Sequence, residues 1–450
     1  MNRRDVMKGL ALGSTAGSSI LFGGRDEAVA QRYSKTTRGL PPVKITNVKA
    51  ISTAPDRVRL TVVKVDTSEP GLYGLGCATY QQRPLAVESA VNDYLNPFCK
   101  GKDVDNIEDM WQTAYVSSYW RNGPVLNNAM SGVDQALWDI KGKRASMPVY
   151  QLLGGKCRFA INCYISCGGR SLEELADGVQ KLIDRGYRVA KVQIGGMSAP
   201  RDEPDYKKAR FGLETDGYMD PGRYKRIVPK MFEHIRTTCG DEVELLHDMV
   251  YQRIHPIDAI NLVKELEQYR PFFIEDPFGP EDNSYFRILR QQTSCPIAMG
   301  EMFNNPHEWV SLITERLIDF IRIHVSQIGG ITPAMKIARL CEYFNVRTAF
   351  HGPNDVSPVG HAAQGHMDLA VWNFGIQEFR NRSEQVHDVF PGTPEFRKDK
   401  DGNGYMYVNE APGLGVTINE KEAAKYPISD DPMYNNWTQT RHRDGTAKRR

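Results

Sequence analysis

After residue 156 the chain repeats one pattern eight times: a short apolar run closed by a polar or aromatic residue, then a helix-like stretch. The runs end about 21 to 29 residues apart, except for one interval of 57 residues after the second run. Their ends are Tyr164, Lys191, Asp248, Glu275, Glu301, Arg322, His351 and Glu378. One strand and one helix per step, repeated eight times, predicts an α/β fold in which parallel strands close into a TIM-type barrel.

The interval of 57 residues holds about 30 extra residues, near positions 197–224. This stretch is rich in Pro, Asp, Lys, Arg and Tyr, which is typical of a loop. In a barrel, loops that follow the strands border the catalytic face. We therefore expect an elaborated loop over the site, after the second strand.

An α+β domain of about 110 residues is predicted before the barrel. Residues 43–80 contain three Val-, Ile- and Thr-rich runs separated by turn residues, and residues 85–152 show helical spacing. We expect five segments: a signal peptide at 1–30, the α+β domain at 43–155, the barrel with its metal site at 156–384, a C-terminal segment at 385–437 that packs on the first domain, and a basic tail at 438–450.

The N-terminus has the pattern of an export signal. Arg3-Arg4 is followed by a mildly apolar run at 9–22 and by Ala28-Val29-Ala30. A charged segment, an apolar segment and a small-residue cleavage site predict a twin-arginine (Tat) signal peptide. The expected location is the bacterial periplasm, with the mature chain starting near Gln31. The alternative is a disordered N-terminus that happens to carry arginines.

Charge and cysteine usage exclude several classes of partner. Lys and Arg number 57 against 55 Asp and Glu, a net charge of +2, which argues against nucleic acid or anionic lipid. Beyond the N-terminus no apolar run approaches the ~20 residues needed to span a bilayer, so no membrane insertion is expected. The eight cysteines are irregularly spaced and lack a Cys-x-x-Cys pair, so they predict buried apolar packing rather than a metal site.

Three acids end successive apolar runs: Asp248, Glu275 and Glu301. Neighbouring strand ends meet at one rim of a barrel, and carboxylates brought that close repel each other unless a cation neutralises them. A site of carboxylate oxygens favours Mg²⁺ over zinc or copper. Strand alternation places His247 and Asp276 on the opposite face, as packing or supporting residues. The alternative is that the three acids are unrelated helix caps.

Other polar residues are predicted to face the same rim. Lys191 and Gln193 share one face of the second strand. A lysine in an apolar strand needs a partner or a task, and a nearby divalent cation would lower its pKa toward that of a general base. His351 ends the seventh strand, while Arg322 and Glu378 end the sixth and eighth. Lys191 and His351 could instead be a snorkelling lysine and a structural histidine.

Several motifs resemble one enzyme family. They are Ala136-Leu137-Trp138-Asp139-Ile140-Lys141-Gly142-Lys143, Ile274-Glu275-Asp276-Pro277, Gly300-Glu301, Ile321-Arg322-Ile323-His324-Val325-Ser326-Gln327-Ile328-Gly329-Gly330, and His351-Gly352 with Asp355. The chain resembles the enolase superfamily, in its mandelate racemase/muconate lactonizing branch. Within that branch it is similar to the D-mannonate dehydratase-like group, which includes proteins called starvation-sensing.

The resemblance implies an α+β capping domain on a modified (β/α)₇β barrel. It also implies that Asp248, Glu275 and Glu301 bind Mg²⁺, while Arg322, His351 and Glu378 face the substrate. Such enzymes abstract the proton α to a carboxylate and form a metal-stabilised enediolate. In the dehydratases, departure of the 3-hydroxyl then gives a 2-keto-3-deoxy sugar acid. We also expect Gln81, Gln193 and Asp355 to contact the substrate.

Five positions depart from the mannonate dehydratase pattern. A histidine two residues after the first metal-ligand aspartate is replaced by Val250, and an arginine on strand 2 by Lys191. A tyrosine in the next loop falls nearest to Glu203 by spacing, a strand-1 histidine corresponds to Ser166, and a capping-domain asparagine to Gln81. The metal frame therefore persists while the acid/base set differs, which argues against mannonate itself.

Lys191 and His351 instead resemble the strand-2 lysine and strand-7 histidine bases of other branches, and Tyr206, Tyr218 and Tyr224 are further candidates. The sequence thus predicts a Mg²⁺-dependent lyase for a small-molecule sugar acid or related hydroxy acid, in a homo-oligomer. A racemase or cycloisomerase would use the same intermediate. A non-catalytic protein that binds sugar acids is the alternative from another class.

Overall fold

The computed structural model describes residues 41–194, 218–249, 254–429, 441–442 and 444–448. The predicted signal peptide, Val250, Glu203 and Tyr206 lie outside these residues, as does most of the predicted long loop. Of Tyr218 only the backbone is described. Among the described residues, no helix has both the length and the apolar composition needed to cross a bilayer.

The capping domain begins with a three-stranded antiparallel sheet in the order β1-β2-β3, formed by Ile45–Thr53, Leu60–Thr67 and Tyr73–Cys77. Five helices follow: α1 Pro84–Ser89, α2 Asn96–Cys99, α3 Ile107–Ser117, α4 Pro124–Ala145 and α5 Val149–Leu152, with a π-helical turn, Ala90–Leu95, between α1 and α2. The sheet packs closely on α4 because glycines face each other there. A Cβ on Gly76 would lie 2.0 Å from the carbonyl oxygen of Gly132.

Eight parallel strands form the barrel, in the order β11-β10-β9-β8-β7-β5-β4-β12. They are β4 Cys163–Gly169, β5 Val189–Ile194, β7 Glu244–Asp248, β8 Phe273–Glu275, β9 Ile297–Met299, β10 Phe320–Ile321, β11 Arg347–Thr348 and β12 Gln377–Glu378. A bridge between Thr348 and Phe374 brings β11 toward β12, so the ring is nearly closed. The predicted barrel is confirmed, although the first strand continues to Gly169 rather than ending at Tyr164.

Seven described helices alternate with these strands: α6 Leu172–Asp184, α7 Pro221–Cys239, α8 Pro256–Leu266, α9 Tyr285–Gln292, α10 Pro306–Thr314, α11 Ile331–Tyr343 and α12 Pro358–Ala370. The helix that follows β12 is the short α13, Glu384–Val389. The eighth helix of a regular barrel is thus missing from its usual place in the described chain, as the (β/α)₇β pattern implies. The short strand β6, Tyr218–Met219, precedes α7 and pairs with β15, Arg441–His442.

One side chain from each barrel strand, or from the residue next to its end, fills the barrel interior: Tyr164, Val189, Leu246, Phe273, Ala298, Phe320, Ala349 and Ile376. All eight are at most 3% exposed. This apolar plug closes the middle of the barrel, so a ligand can reach only the rim above it.

The C-terminal segment returns to the capping domain. It contains a hairpin of β13, Glu395–Lys398, with β14, Gly404–Tyr407, and ends with α14, Glu420–Ala423. The hydroxyl of Thr53 donates to the carbonyl of Ala423 at 2.9 Å. Glu420 accepts from Lys49 at 2.7 Å and from Lys64 at 2.8 Å. The end of the chain is therefore bound to the edge of the first sheet.

Candidate active site

The polar rim of the barrel lies two residues beyond the apolar plug on every strand. Adding two to each plug position gives Ser166, Lys191, Asp248, Glu275, Gly300, Arg322, His351 and Glu378. Side chains on a strand alternate between faces with period two, so this second layer points into the barrel mouth directly above the plug. Six of the ten predicted site residues belong to this layer.

Lys191 lies among the carboxylates of this layer and is 5% exposed. Its Nζ is 2.9 Å from Glu378 Oε1, 3.2 Å from Glu275 Oε1 and 3.5 Å from Asp248 Oδ2. Burial alone would lower the pKa of Lys191, but Glu275 and Glu378 outweigh burial and hold the pKa well above its ordinary value. Lys191 can therefore have the reduced pKa expected of a base only when another cation neutralises these carboxylates.

Arg322 is fully buried and bridges the other side of the cluster. Its Nε lies 3.0 Å from Glu275 Oε1 and 3.0 Å from the hydroxyl of Tyr164, and its Nη1 lies 3.0 Å from Glu301 Oε2. Its Nη2 also contacts Glu378. Arg322 thus fixes three carboxylates at once.

His351 has an acidic partner at each ring nitrogen. Nε2 lies 3.1 Å from Asp355 Oδ1, and Nδ1 lies 3.0 Å from Glu301 Oε2 and 2.8 Å from Arg322 Nη1. Burial opposes protonation of His351, but Glu301 and Asp355 raise its pKa to about 10. The predicted substrate contact Asp355 therefore pairs with His351 in this structure.

His324 was missed by the sequence analysis. It lies two residues after Arg322, and its ring stacks on that of His351 with centroids 5.1 Å apart and planes 26° apart. Its Nδ1 accepts the backbone N–H of Ser326 at 3.1 Å. Burial, with the nearby His351 charge, lowers the pKa of His324 to about 4. The period-two spacing from Arg322 was the available signal.

Asp248, Glu275 and Asp276 form a close acidic group, with one oxygen from each within 4.8 Å of the others. Asp276 was predicted to face away from Glu275, but its φ of +46° ends the strand alternation there. Its Oδ1 accepts the N–H of Gly300 at 3.3 Å. Burial and then the Glu301 charge raise the pKa of Asp276 to about 8.

Glu301 stands one residue beyond the rim layer, because Gly300, with φ of +140°, occupies the layer position on its strand. Its Oε2 turns toward Arg322 and His351. The structure therefore brings Asp248 and Glu275 together as predicted and places Glu301 beside them, on the side of His351.

The site's chemistry fits a hard divalent cation such as Mg²⁺. Glu275 Oε2 and Asp276 Oδ2 are buried and have no hydrogen-bond partner among the described residues. Burial and the neighbouring Asp248 charge raise the pKa of Glu275 well above its usual range, against the effect of Arg322. Unpaired carboxylate oxygens in a buried acidic cluster are ligands that Mg²⁺ prefers. Asp248, Glu275 and Glu301, with Asp276 behind them, are the residues that would hold it.

Two predicted substrate contacts, Gln193 and Gln81, remain to be placed. Gln193 is on β5, on the same face as Lys191, and is partly exposed. Gln81 lies in the turn between β3 and α1. The preceding Cys77 carbonyl accepts from Ser326 Oγ at 3.2 Å, which joins this end of the capping domain to the barrel loop after β10. A cavity of about 260 Å³ opens beside Glu378, lined also by Ser166, Asn354 and Arg380.

Tyr224 is not a loop residue, contrary to the prediction. It lies in the first turn of α7, is fully buried, and its hydroxyl is 2.8 Å from Nε2 of His247. The Nδ1 of His247 lies 2.8 Å from the carbonyl of Val192. Both side chains support the strand wall from outside, which agrees with the packing role predicted for His247.

Two side-chain amides and one imidazole bind the backbone carbonyls next to and at His351. The sequence analysis missed all three residues. Gln364 donates to the carbonyl of His351 at 2.6 Å, and Gln377 to that of Phe350 at 3.2 Å. His361 Nε2 lies 2.8 Å from the carbonyl of Gly352. Burial lowers the pKa of His361 to about 3, so its ring is neutral. We call these three residues the carbonyl clamp.

Comparison with protein families gives two matches, with residues 155–173 between them. The family described as "Mandelate racemase / muconate lactonizing enzyme, N-terminal domain" matches residues 34–154. The family described as "Enolase C-terminal domain-like" matches residues 174–422.

Curated relatives and solved structures agree with these matches. "D-galactonate dehydratase family member SeV_A0456" of Salmonella virchow (strain SL491) is 50% identical over 422 residues, covering 90% of this chain and 99% of the relative. "D-galactonate dehydratase family member RspA" of Pantoea ananatis (strain LMG 20103) is 49% identical with the same coverage. A crystal structure of an enolase from Pantoea ananatis, with bound D-gluconate and Mg, has a TM-score of 0.85 and 49% identity. It covers 91% of this chain and 100% of that one.

Proposed function

This chain belongs to the mandelate racemase/muconate lactonizing branch of the enolase superfamily, and we propose that the reaction of this magnesium-dependent sugar-acid dehydratase is the loss of water from a six-carbon aldonate. The observation that carries the proposal is the rim layer, in which one buried lysine and one buried histidine flank a cluster of carboxylates. The Pantoea structure with D-gluconate and Mg supports the substrate class. The D-galactonate dehydratase names of the relatives support it as well.

Lys191 and His351 are the proposed acid/base pair. Glu378 lies between them, 2.9 Å from Lys191 Nζ and 3.9 Å from His351 Nδ1. Their strands, β5 and β11, stand three places apart around the ring of eight. Two proton-carrying groups on well-separated strands can serve different faces of a substrate held above the plug.

In the proposed reaction Lys191 takes the proton from the carbon next to the substrate carboxylate. His351, paired with Asp355, donates a proton to the departing 3-hydroxyl, which leaves as water. The resulting enol converts to a 2-keto-3-deoxy acid. Bound Mg²⁺ would supply Lewis-acid stabilisation of negative charge on the substrate carboxylate.

The charges around His351 match its assigned role, whereas those around Lys191 set a condition on its role. A base must be neutral, whereas Glu275 and Glu378 favour the charged form of Lys191. The base role therefore requires these acids to gain another counter-charge. Glu301 and Asp355 keep His351 protonated, which suits an acid. Arg322, held by three carboxylates, is proposed to keep them in position and to complement the negative substrate.

A lyase assay tests the proposal. The purified protein is incubated with C5 and C6 aldonates, including D-gluconate and D-galactonate, and 2-keto-3-deoxy products are measured. We expect turnover of at least one six-carbon acid, loss of turnover with EDTA, and recovery on adding Mg²⁺.

Calorimetry on the same acids distinguishes the alternative. Mg²⁺-dependent binding without turnover or α-proton exchange would contradict the proposal and favour a non-catalytic sugar-acid-binding protein. Proton exchange with epimerised substrate and no elimination would favour a racemase.

We also propose export to the periplasm by the Tat pathway. The family match begins at residue 34, close to the predicted cleavage site before Gln31. This agreement supports a boundary between the signal peptide and the mature chain at that place. The double variant Arg3→Lys/Arg4→Lys should accumulate as cytoplasmic precursor, because the pathway reads the arginine pair. Normal maturation of that variant in a fractionation experiment would show that the assignment is wrong.

A further inference from the structure

His324 is a second histidine at the barrel mouth, and the proposed acid/base pair does not include it. It follows Arg322 by two residues, and its neighbours Ile323 and Val325 are buried in the apolar core around the barrel. The backbone N–H of His351 donates to the carbonyl of Ile323 at 3.1 Å, so the two histidines lie on adjacent chain segments. Side-chain alternation therefore places His324 one layer above Arg322, on the inner side of the mouth.

The hydrogen bond at Nδ1 determines which ring nitrogen of His324 carries the proton. Nδ1 accepts the backbone N–H of Ser326 at 3.1 Å, so the hydrogen of the neutral ring is on Nε2. Burial and the His351 charge lower the pKa of His324 to about 4, which keeps the ring neutral at pH 7. Ser326 is held in turn, because its hydroxyl donates to the carbonyl of Cys77 at 3.2 Å. His324 therefore presents one N–H donor in a fixed tautomer.

This donor is available to a ligand. In the described part of the chain, the Nε2 of His324 has no hydrogen-bond partner. One nitrogen of His324, one nitrogen of His351 and one oxygen of Asp355 lie within 4.8 Å of one another, but no hydrogen bond joins His324 to either residue in the described structure. A donor that faces the inside of the mouth without a protein acceptor can donate to a substrate oxygen.

The same three residues do not fit a second metal ion. A histidine ligand binds a metal through the lone pair of a ring nitrogen. In His324 the Nδ1 lone pair accepts the N–H of Ser326, and Nε2 carries the hydrogen. Both nitrogens of His351 already pair with acids, Glu301 and Asp355. The arrangement therefore suits two N–H donors and one shared acceptor.

The two histidines are close enough to reach the same oxygen. Their rings stack with centroids 5.1 Å apart and planes 26° apart. Two donors that each stand ~2.9 Å from one oxygen can be separated by up to ~5.8 Å. The nitrogens within 4.8 Å of each other meet this condition. Because His351 is the proposed acid, the shared oxygen would be the one that it protonates.

We propose that His324 is a further catalytic residue, which donates its Nε2–H to the 3-hydroxyl oxygen of the substrate while His351 protonates that oxygen. The inference rests on the proposed dehydration. As the bond between C3 and oxygen breaks, its electron pair goes to the oxygen, the proton of His351 completes the water, and His324 keeps its own proton. A neutral imidazole can stabilise developing negative charge in this way.

Separate measurements of elimination and of α-proton exchange test the proposal, in deuterated water with Mg²⁺ and an acid that the wild type dehydrates. His324→Phe keeps a flat ring against His351 and removes the N–H. It should lower the rate of elimination by ~10²–10³-fold, the effect of losing one donor to a developing charge, while α-proton exchange by Lys191 is unchanged. His324→Gln, whose amide supplies a new N–H, should recover part of the lost rate.

His366→Phe is the matched control. His366 is also buried and its ring stacks on Tyr150 with centroids 5.6 Å apart, but its Nε2 lies 3.2 Å from the carbonyl of Leu414. This variant should keep the wild-type rate of elimination, and thermal unfolding should show that all variants fold.

Three results would overturn the role of His324 alone: wild-type elimination by His324→Phe, equal losses of exchange and elimination in that variant, or a His324→Gln protein no faster than His324→Phe. A wild type that exchanges or binds the acids but eliminates none of them would contradict the proposed dehydration, and the role of His324 with it.

Discussion

Lys191 contacts three carboxylates at 2.9 to 3.5 Å, and replacing it tests whether it has a catalytic role besides this structural one. With Mg²⁺ present, Lys191→Met should lower kcat by ~10²–10⁴-fold, the usual contribution of a positioned acid or base. It should also abolish exchange of the α-proton in deuterated water, measured by NMR.

His351→Asn is the matched variant for the opposite role. It should stop elimination of the 3-hydroxyl while α-proton exchange continues, because Lys191 remains in place. If Lys191→Met keeps both exchange and turnover, the base lies elsewhere, and Tyr206 and Tyr218 become the first candidates.

Gln364 in the carbonyl clamp should act on catalysis through the position of His351. Gln364→Leu removes the amide that donates to the His351 carbonyl at 2.6 Å. A displacement of an acid by a fraction of an ångström is enough to lower kcat, and we expect a loss of ~10-fold or more with KM little changed.

The control for Gln364 lies on the same helix. His366 is equally buried, but its Nε2 faces the carbonyl of Leu414 at 3.2 Å, away from the rim. His366→Gln should lower the melting temperature without the loss of kcat. Equal kcat values for the two variants at matched stability would show that the clamp is only structural.

The sequence predicted the rim layer well because one rule, strand alternation, places six of its side chains. The prediction failed where the backbone departs from regular strand geometry. Asp276 adopts φ of +46°, which turns its carboxylate toward Glu275, and Gly300 takes the layer position that would otherwise belong to Glu301. The carbonyl clamp could not be predicted from the sequence, because Gln364 and His361 come from α12, whose contacts depend on tertiary packing.

At the scale of elements, one carboxylate joins three segments that are far apart in sequence. Asp139 on α4 accepts the N–H of Leu75 at 3.0 Å and that of Leu414 at 2.8 Å, and it pairs with Lys143 at 2.7 Å. Gly413 is required beside it, since a Cβ there would lie 2.1 Å from Asp139 Oδ1. Strand β3, helix α4 and the C-terminal segment therefore share one anchor.

Asp139→Ala should lower the free energy of unfolding by ~3–5 kcal/mol, since it leaves two buried N–H groups and one lysine without their partner. Urea unfolding followed by circular dichroism measures the change. Lys143→Met is the control, with a smaller effect, because Lys143 is partly exposed and its loss leaves both N–H groups paired. If both variants lose the same free energy of unfolding, the ion pair with Lys143 stabilises the fold and the two backbone hydrogen bonds contribute little.

Helices and strands could be predicted where a sequence pattern repeats over many residues. They were harder to predict where tertiary packing determines the boundary of an element. The order of strands and helices in the barrel follows directly from the repeated spacing. The start of α7 could not be predicted in this way, because its first turn continues a polar, Tyr-rich stretch. Only the fold shows that Asp220 caps this helix and that Tyr224 packs against His247.

For the whole molecule, the balance of charge at the rim makes stability depend on a cation. In the described part of the chain, the rim holds six acids, Asp248, Glu275, Asp276, Glu301, Asp355 and Glu378, and their ion pairs are with Lys191, Arg322 and His351. Added Mg²⁺ should raise the melting temperature, with a stabilisation of about 2.7 kcal/mol at 100 times its Kd. Glu275→Gln should remove most of this rise, as it deletes one charged ligand. An unchanged melting temperature after exhaustive chelation would contradict the metal assignment.

A second global effect comes from Asp368 in α12, whose two carboxylate oxygens are buried without hydrogen-bond partners in the described chain. Burial raises the pKa of Asp368 well above its usual range, despite nearby Arg158. Because the folded pKa exceeds the unfolded one, stability is full at acidic pH and falls as the pH rises above the unfolded pKa of about 4.

Asp368→Asn should therefore melt a few degrees higher than the wild type at pH 7 to 8 and nearly equally at pH 4. The exposed Asp388→Asn is the control and should follow the wild type at both pH values. A constant difference across the pH range would show that Asp368 acts through packing rather than through its charge.

The contact between the two ends of the chain has a consequence for synthesis on the ribosome. Thr53 on β1 meets Ala423, 370 residues later, and Leu75 on β3 shares Asp139 with Leu414. At ~5–20 residues per second, the ribosome needs roughly 20–70 s to supply those partners. During that time the nascent first sheet lacks part of its cover, so the domain that emerges first is the last one to be completed.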